Sequence, residues 1–217
     1  MMKYNATTMC ADQTRLADEM AACEEVGVHW FHWDIMDGHF VGNICQGFRL
    51  LEDARKLTTL PFDVHLMALE PERFIPVLAD LGTDYVTVHF EACTHIDRIL
   101  GKIRDRGMKC GVALCPHTPA SALEYLWDML DLVVIMTINP GFPGPALMTK
   151  MLPKIAAVRD TAKRLGLDLE IQVDGGVNPS NIRTVAEHGC NNAIIGNFFF
   201  HHPPYADRIR ELDEALA

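Results

Sequence analysis

Phe31-His32-Trp33-Asp34-Ile35-Met36 alternates two kinds of side chain, and that alternation decides the fold. Successive residues of a strand point to opposite faces. Phe31, Trp33 and Ile35 therefore share an apolar face, while His32, Asp34 and Met36 share the other. The split recurs at Phe62, Val64 and Leu66 against Asp63, His65 and Met67, and again at Leu169, Ile171 and Val173 against Glu170, Gln172 and Asp174. Strands covered by helices on one side and closed around an interior on the other predict this pattern, with the polar set turned inward.

Outward from these segments, short apolar runs alternate with longer amphipathic stretches along the whole chain. Strands are expected at 4–9, 28–35, 62–67, 85–90, 109–114, 132–137, 169–173 and 192–196. Helices are expected at 13–25, 71–81, 95–106, 119–129, 149–165, 179–188 and 204–216, several opened by Pro in the first turn, with a weaker one at 47–57. Eight βα units in 217 residues match a minimal (β/α)8 TIM barrel. A doubly wound sheet uses the same local pattern, but the polar inner faces favour the barrel. No Gly/Ser linker breaks the rhythm, so residues 1–217 are expected to form a single domain.

The composition, 49% hydrophobic and 22% charged, excludes disordered and fibrous classes. A net charge of −10 has the wrong sign for binding a nucleic-acid backbone or an anionic membrane, so neither is an expected partner. An anionic ligand would have to be held by backbone amides and helix ends. The seven cysteines are odd in number and lack a C-x-x-C pair, which fits reduced thiols and a cytoplasmic location. Neither a leader pattern nor an uncharged run near the ~18 residues of a membrane span is evident, so secretion and membrane anchoring are not expected.

In a barrel the chemistry gathers at the C-terminal strand ends, where His32, Asp34, His65, His89 and Asp174 fall. Unpartnered carboxylates there would cost several kcal/mol, and no Lys or Arg lies on these strand ends. Two imidazoles and two carboxylates from three strands suit a divalent transition metal. The alternative is hydrogen-bonded interior histidines and helix-capping aspartates. Glycine turns at 139–144, 174–176 and 196–197 carry Gly141, Gly144, Gly175, Gly176, Gly196 and Asn197. They read either as a backbone-amide cradle for phosphate or as plain tight turns. Most of the eleven methionines read as core filler, but Met36, Met67 and Met136 are expected to line a water-poor pocket; Cys93 and Cys190 read as small hydrophobes.

His32-Trp33-Asp34-Ile35-Met36-Asp37-Gly38-His39-Phe40-Val41, Asp63-Val64-His65-Leu66-Met67, Met136-Thr137-Ile138-Asn139-Pro140-Gly141-Phe142 and Val173-Asp174-Gly175-Gly176, in this order, resemble the ribulose-phosphate 3-epimerase family. The resemblance implies one divalent metal ion, zinc or iron first and manganese or cobalt next, held by His32, Asp34, His65 and Asp174. It also implies that Asp34 and Asp174 remove and return a proton on opposite faces of C3 of a ketose phosphate. Cys10, the three methionines and the glycine turns would surround this sugar-phosphate substrate. Ribulose 5-phosphate to xylulose 5-phosphate is the first expectation. Cys10 stands where many pentose-phosphate members have Ser, which keeps allulose 6-phosphate to fructose 6-phosphate as the alternative, with a non-catalytic metal- or sugar-phosphate-binding barrel as a reading of another class. Pro143, Pro145, Asn197 and Gly42 depart from the family pattern around the pocket rim. Relatives imply a homo-oligomer, dimer or hexamer, with Phe198-Phe199-Phe200 either at an interface or beneath the last helix.

Overall fold

The polar and apolar faces of Phe31 to Met36 become the two sides of a barrel wall. The computed structural model of the chain describes residues 2–217. Its strands are β1 (Lys3–Thr7), β2 (Trp30–Asp37), β3 (Ile44–Cys45), β4 (Phe62–Met67), β5 (Tyr85–His89), β6 (Lys109–Leu114), β7 (Leu132–Met136), β8 (Glu170–Asp174) and β9 (Asn192–Ile195). They form one sheet in the order β1-β9-β8-β7-β6-β5-β4-β2-β3, in which β3 pairs antiparallel with β2 and every other pairing is parallel. β1 also pairs with β2, setting Asn5 opposite Trp30 and Thr7 opposite His32. That pairing closes the barrel, which a doubly wound sheet never does.

The helices α1 (Leu16–Glu25), α2 (Phe48–Arg55), α3 (Ile75–Asp80), α4 (Ile96–Asp105), α5 (Leu152–Leu165), α6 (Ile182–His188), α7 (Asn197–Phe200) and α8 (Tyr205–Leu216) cover the outside. Phe31, Trp33, Val64, Leu66 and Val173 fill the layer between strands and helices and are fully buried. Each large side chain removed from water there contributes roughly 1.5–3 kcal/mol. At the N-terminal end of the interior Trp30 stacks on Tyr85 at 4.3 Å, with Lys3 and Lys109 over the rings. The polar residues Asn5, His32, Asp63, His65, Thr87 and Gln172 are buried in the inner layer above that plug.

Three expectations need correction. The helix expected at 119–129 is instead two 3-10 turns, Ala120–Leu123 and Trp127–Met129. Inward positions there recur every three residues at Ala120, Leu123, Leu126 and Met129, the period of a 3-10 turn rather than of an α-helix. The first strand stops at Thr7, because Thr8–Cys10 turns away as a 3-10 element. β3 and α7 had no counterpart in the expected elements, since two and four residues are too short to show periodicity. Phe199 and Phe200 lie beneath the last helix, packed against Tyr205 of α8 at 4.6 and 5.6 Å between ring centroids, while Phe198 is half-buried. No described helix is long and apolar enough to cross a membrane.

Candidate active site

β2 and β4 lie side by side in register, with Asp34 opposite His65 and Met36 opposite Met67, and β8, paired with β7 and β9, brings Asp174 to them from elsewhere on the barrel wall. One ligand-type atom from each of His32, Asp34, His65 and Asp174 lies within 4.8 Å of the others. His65 Nδ1 stands 3.5 Å from Asp34 Oδ1 and 3.6 Å from Asp174 Oδ2, and His32 Nε2 stands 3.5 Å from Asp34 Oδ1. These separations are too long for hydrogen bonds. They suit donors ~2.1 Å from a shared tetrahedral ion, which would be about 3.4 Å apart.

The unpartnered atoms point the same way. His32 Nε2 and His65 Nδ1 are buried and have no hydrogen-bond partner. The opposite edge of His32 is occupied: Nδ1 lies 2.8 Å from Asp63 Oδ2, and a carboxylate can only accept, so Nδ1 carries the proton and Nε2 keeps its lone pair. Asn5 Nδ2 and Gln172 Nε2 donate to the same Asp63 oxygen at 2.7 Å, fixing it in place. Two free imidazole lone pairs and two carboxylates facing one another fit a divalent cation.

The carboxylates are not equivalent. Burial works against the charge of Asp34, yet His32 and His65 outweigh it and hold this carboxyl well below the usual range. Thr7 Oγ1 and the flap formed by β3 and the following Gln46 support the same residue: Thr7 donates to Asp34 Oδ2, and the Asp34 amide donates to Gln46 Oε1 at 3.1 Å. Asp174 is pushed up, first by burial and then by the negative charge of Asp34. Asp34 therefore favours the ionised form while Asp174 resists ionisation.

Above the cluster opens a cavity of about 330 Å³, lined by Cys10, Met36, Met67, Met136 and by Gly141, Gly144, Gly175, Gly176, Gly196 and Asn197. Every residue singled out from sequence as a substrate contact thus lines one space with Asp34 and Asp174. Burial and the nearby aspartates push the Cys10 thiol up to about 12, so it stays neutral. Gly196 is tightly constrained, because a Cβ there would meet Cys10 Sγ at 2.9 Å. Gly176 has φ +72°, and its Cβ would lie 2.5 Å from the Leu147 amide nitrogen. Pro143 and Pro145 also line the cavity and lack amide donors.

Sequence reasoning missed the supporting residues Thr7 and Glu91. Both continue an inward-facing register, Thr7 after Asn5 and Glu91 after Thr87 and His89, and that period of two was the available signal.

A closed barrel with a His/Asp cluster beneath a glycine-rich rim is the architecture of an enzyme site. The model of the ribulose-phosphate 3 epimerase family matches residues 4–200. The chain belongs to this family and is an isomerase. It is 42% identical over 215 residues to the ribulose-phosphate 3-epimerase of Bacillus subtilis, covering 99% of this chain and 98% of that protein. It is 43% identical over 203 residues to the Synechocystis enzyme of the same name, covering 93% and 88%. Against the Escherichia coli K12 enzyme it is 37% identical over 210 residues, covering 96% and 93%. Among solved structures, 3-hexulose-6-phosphate synthase superposes with a TM-score of 0.69 at 17% identity over 100% of both chains, a likeness of fold.

Proposed function

We propose that this chain interconverts D-ribulose 5-phosphate and D-xylulose 5-phosphate, with Asp34 and Asp174 as the proton-transferring pair. The observation that carries the reading is the setting of these two carboxylates, from β2 and β8, within 4.8 Å of each other's ligand-type oxygens on the wall of one cavity. In one direction the ionised aspartate takes the C3 proton, and the protonated one delivers a proton to the other face. After turnover the two have exchanged states, so the reverse reaction starts from the mirror arrangement. A divalent ion held by His32, Asp34, His65 and Asp174, zinc or iron best matching this donor set, would supply a Lewis acid for charge developing on the C2 oxygen.

Met36, Met67 and Met136 are buried beside the carboxylates and keep water from competing for the proton. The glycine turns around Gly144, Gly176 and Gly196 are the proposed seat of the phosphate, held by backbone amides because no Lys or Arg lines the cavity. Residues 1–217 would act as one domain. The seven free cysteines support a cytoplasmic home. A homo-oligomer would use a surface other than Phe199 and Phe200, which α8 covers.

The test is a steady-state comparison of ribulose 5-phosphate with allulose 6-phosphate, on chelated protein with single metals restored. Higher kcat/KM for the pentose is expected, and a tenfold preference for the hexose overturns the substrate assignment.

A further inference from the structure

His65 reaches the cluster with Nδ1, so its other ring nitrogen decides whether that lone pair is free. His65 Nε2 faces His89 Nε2 at 2.9 Å, in an otherwise buried ring-to-ring contact with centroids 4.9 Å apart. Two nitrogens facing each other at this distance share one proton, and nothing in the pair itself says which ring owns it. The answer lies on the far edge of His89. Its Nδ1 stands 3.2 Å from Glu91 Oε2, a carboxylate that accepts without donating, and 3.5 Å from the Cys115 sulfur, a weaker partner. Glu91 is itself fixed, because its Oε1 accepts from the Cys115 amide at 2.9 Å and from the Thr118 hydroxyl.

The protons can then be assigned in sequence. His89 carries its proton on Nδ1 toward Glu91, leaving Nε2 as an acceptor. His65 must place its proton on Nε2 to donate to that acceptor, which strips Nδ1 and turns its lone pair toward Asp34 and Asp174. The opposite assignment would put a proton on His65 Nδ1, where the carboxylate oxygens at 3.5 and 3.6 Å are too distant to accept it well.

We propose that His89 and Glu91 are positioning residues that lock His65 in the tautomer with Nδ1 open, thereby setting the affinity of the cluster for its divalent ion. The inference rests on the reading of His65 as a ligand. It also gives a role to the second group of metal-ligating side chains, His89, Glu91 and Cys115, whose donor atoms lie within 4.8 Å of one another. His89 Nδ1 holds the proton that orients His65, so it has no lone pair for a second ion. That group is an anchor rather than a second metal centre. Fixing Glu91 by the Cys115 amide and the Thr118 hydroxyl thus fixes the proton on His65, through the one ring of His89.

Nitrogen NMR of the ¹⁵N-histidine-labelled, metal-free protein reads the proton positions directly and is independent of turnover. The expected result is protonated Nε2 and bare Nδ1 on His65, with protonated Nδ1 on His89; a proton on His65 Nδ1 overturns the proposal. Metal competition against a chromophoric chelator supplies the second arm, using zinc as the probe. His89→Phe keeps a ring but offers no acceptor, and its zinc affinity is expected to fall ~10- to 100-fold. His89→Gln retains a carbonyl acceptor for His65 and is expected to recover most of that loss. Equal weakening in both variants, or none in His89→Phe, contradicts the role. Failure of His89→Phe to fold leaves the proton positions in the wild-type protein as the deciding result. Wild-type protein that bound no zinc would overturn both the metal reading of the cluster and the claim that His89 and Glu91 set its affinity; zinc binding together with a proton on His65 Nδ1 in the metal-free protein would overturn the positioning claim alone.

Discussion

Asp34 Oδ1 stands 3.5 Å from both His32 Nε2 and His65 Nδ1, and neither ring nitrogen has a hydrogen-bond partner. Groups this buried are normally satisfied, and two bare ring nitrogens turned on one carboxylate oxygen fit a shared divalent cation. Supporting contacts hold the gap open: Asp63 turns the His32 ring, and the Thr7 hydroxyl holds the other oxygen of Asp34.

Removal of divalent metal is expected to lower thermal stability as well as activity. An ion present at 100 times its dissociation constant adds about 2.7 kcal/mol, which for a chain of this size is roughly 5–10 °C in Tm. Differential scanning calorimetry before and after chelation reads the difference, and an unchanged Tm contradicts a bound ion at this cluster.

Asp174→Asn keeps the shape of the side chain and removes its ability to cycle a proton. The expected loss in kcat is ~10²- to 10⁴-fold with the circular dichroism spectrum unchanged. Activity within tenfold of wild type would remove Asp174 from the proton-transfer pair.

Gly176→Ala is expected to destabilise the fold by more than about 1 kcal/mol, because both its positive φ and the Leu147 backbone oppose a Cβ. Since the same turn is the proposed phosphate seat, KM should rise more than kcat falls. Urea denaturation and steady-state kinetics check the two parts separately.

Acid stability should depend on Glu91. Burial opposes its charge, but hydrogen bonds from His89 and Thr118 pull it from its ordinary 4.5 down to about 2. A carboxyl depressed on folding stabilises the native state above the unfolded value, and that contribution is lost as pH falls from about 4.5 toward 2. Metal-free Glu91→Gln, having no such charge to lose, should show a shallower decline of Tm over this window than the metal-free wild type. Parallel curves would contradict the ionised state of Glu91.

The barrel was legible because Phe31 to Met36, Phe62 to Met67 and Leu169 to Asp174 each split into an apolar and a polar face, and a closed wall is the arrangement that gives both faces a use. The cluster was legible for the same reason: His32, Asp34, His65 and Asp174 all sit on the polar face near strand ends. Ala120 to Met129 misled because Leu123, Leu126 and Trp127 satisfy helical spacing as well as the period of three that the backbone adopts. The flap strand β3 depends on Gln46 with φ +46° and on Asn43 donating to the Gly141 carbonyl, contacts between distant segments that no local pattern encodes. His89 stood out as a strand-end histidine, but its pairing with His65 and Glu91 is a property of three-dimensional register.

The most direct test of two-carboxylate epimerisation is to incubate the metal-loaded enzyme with ribulose 5-phosphate in deuterium oxide and follow C3 by proton NMR. The account predicts loss of the C3 proton signal as xylulose 5-phosphate forms, with both the exchange and the product absent after chelation, and with product formation falling far more than exchange in Asp174→Asn. Product formed without deuterium at C3, or no exchange from metal-loaded protein, would contradict it.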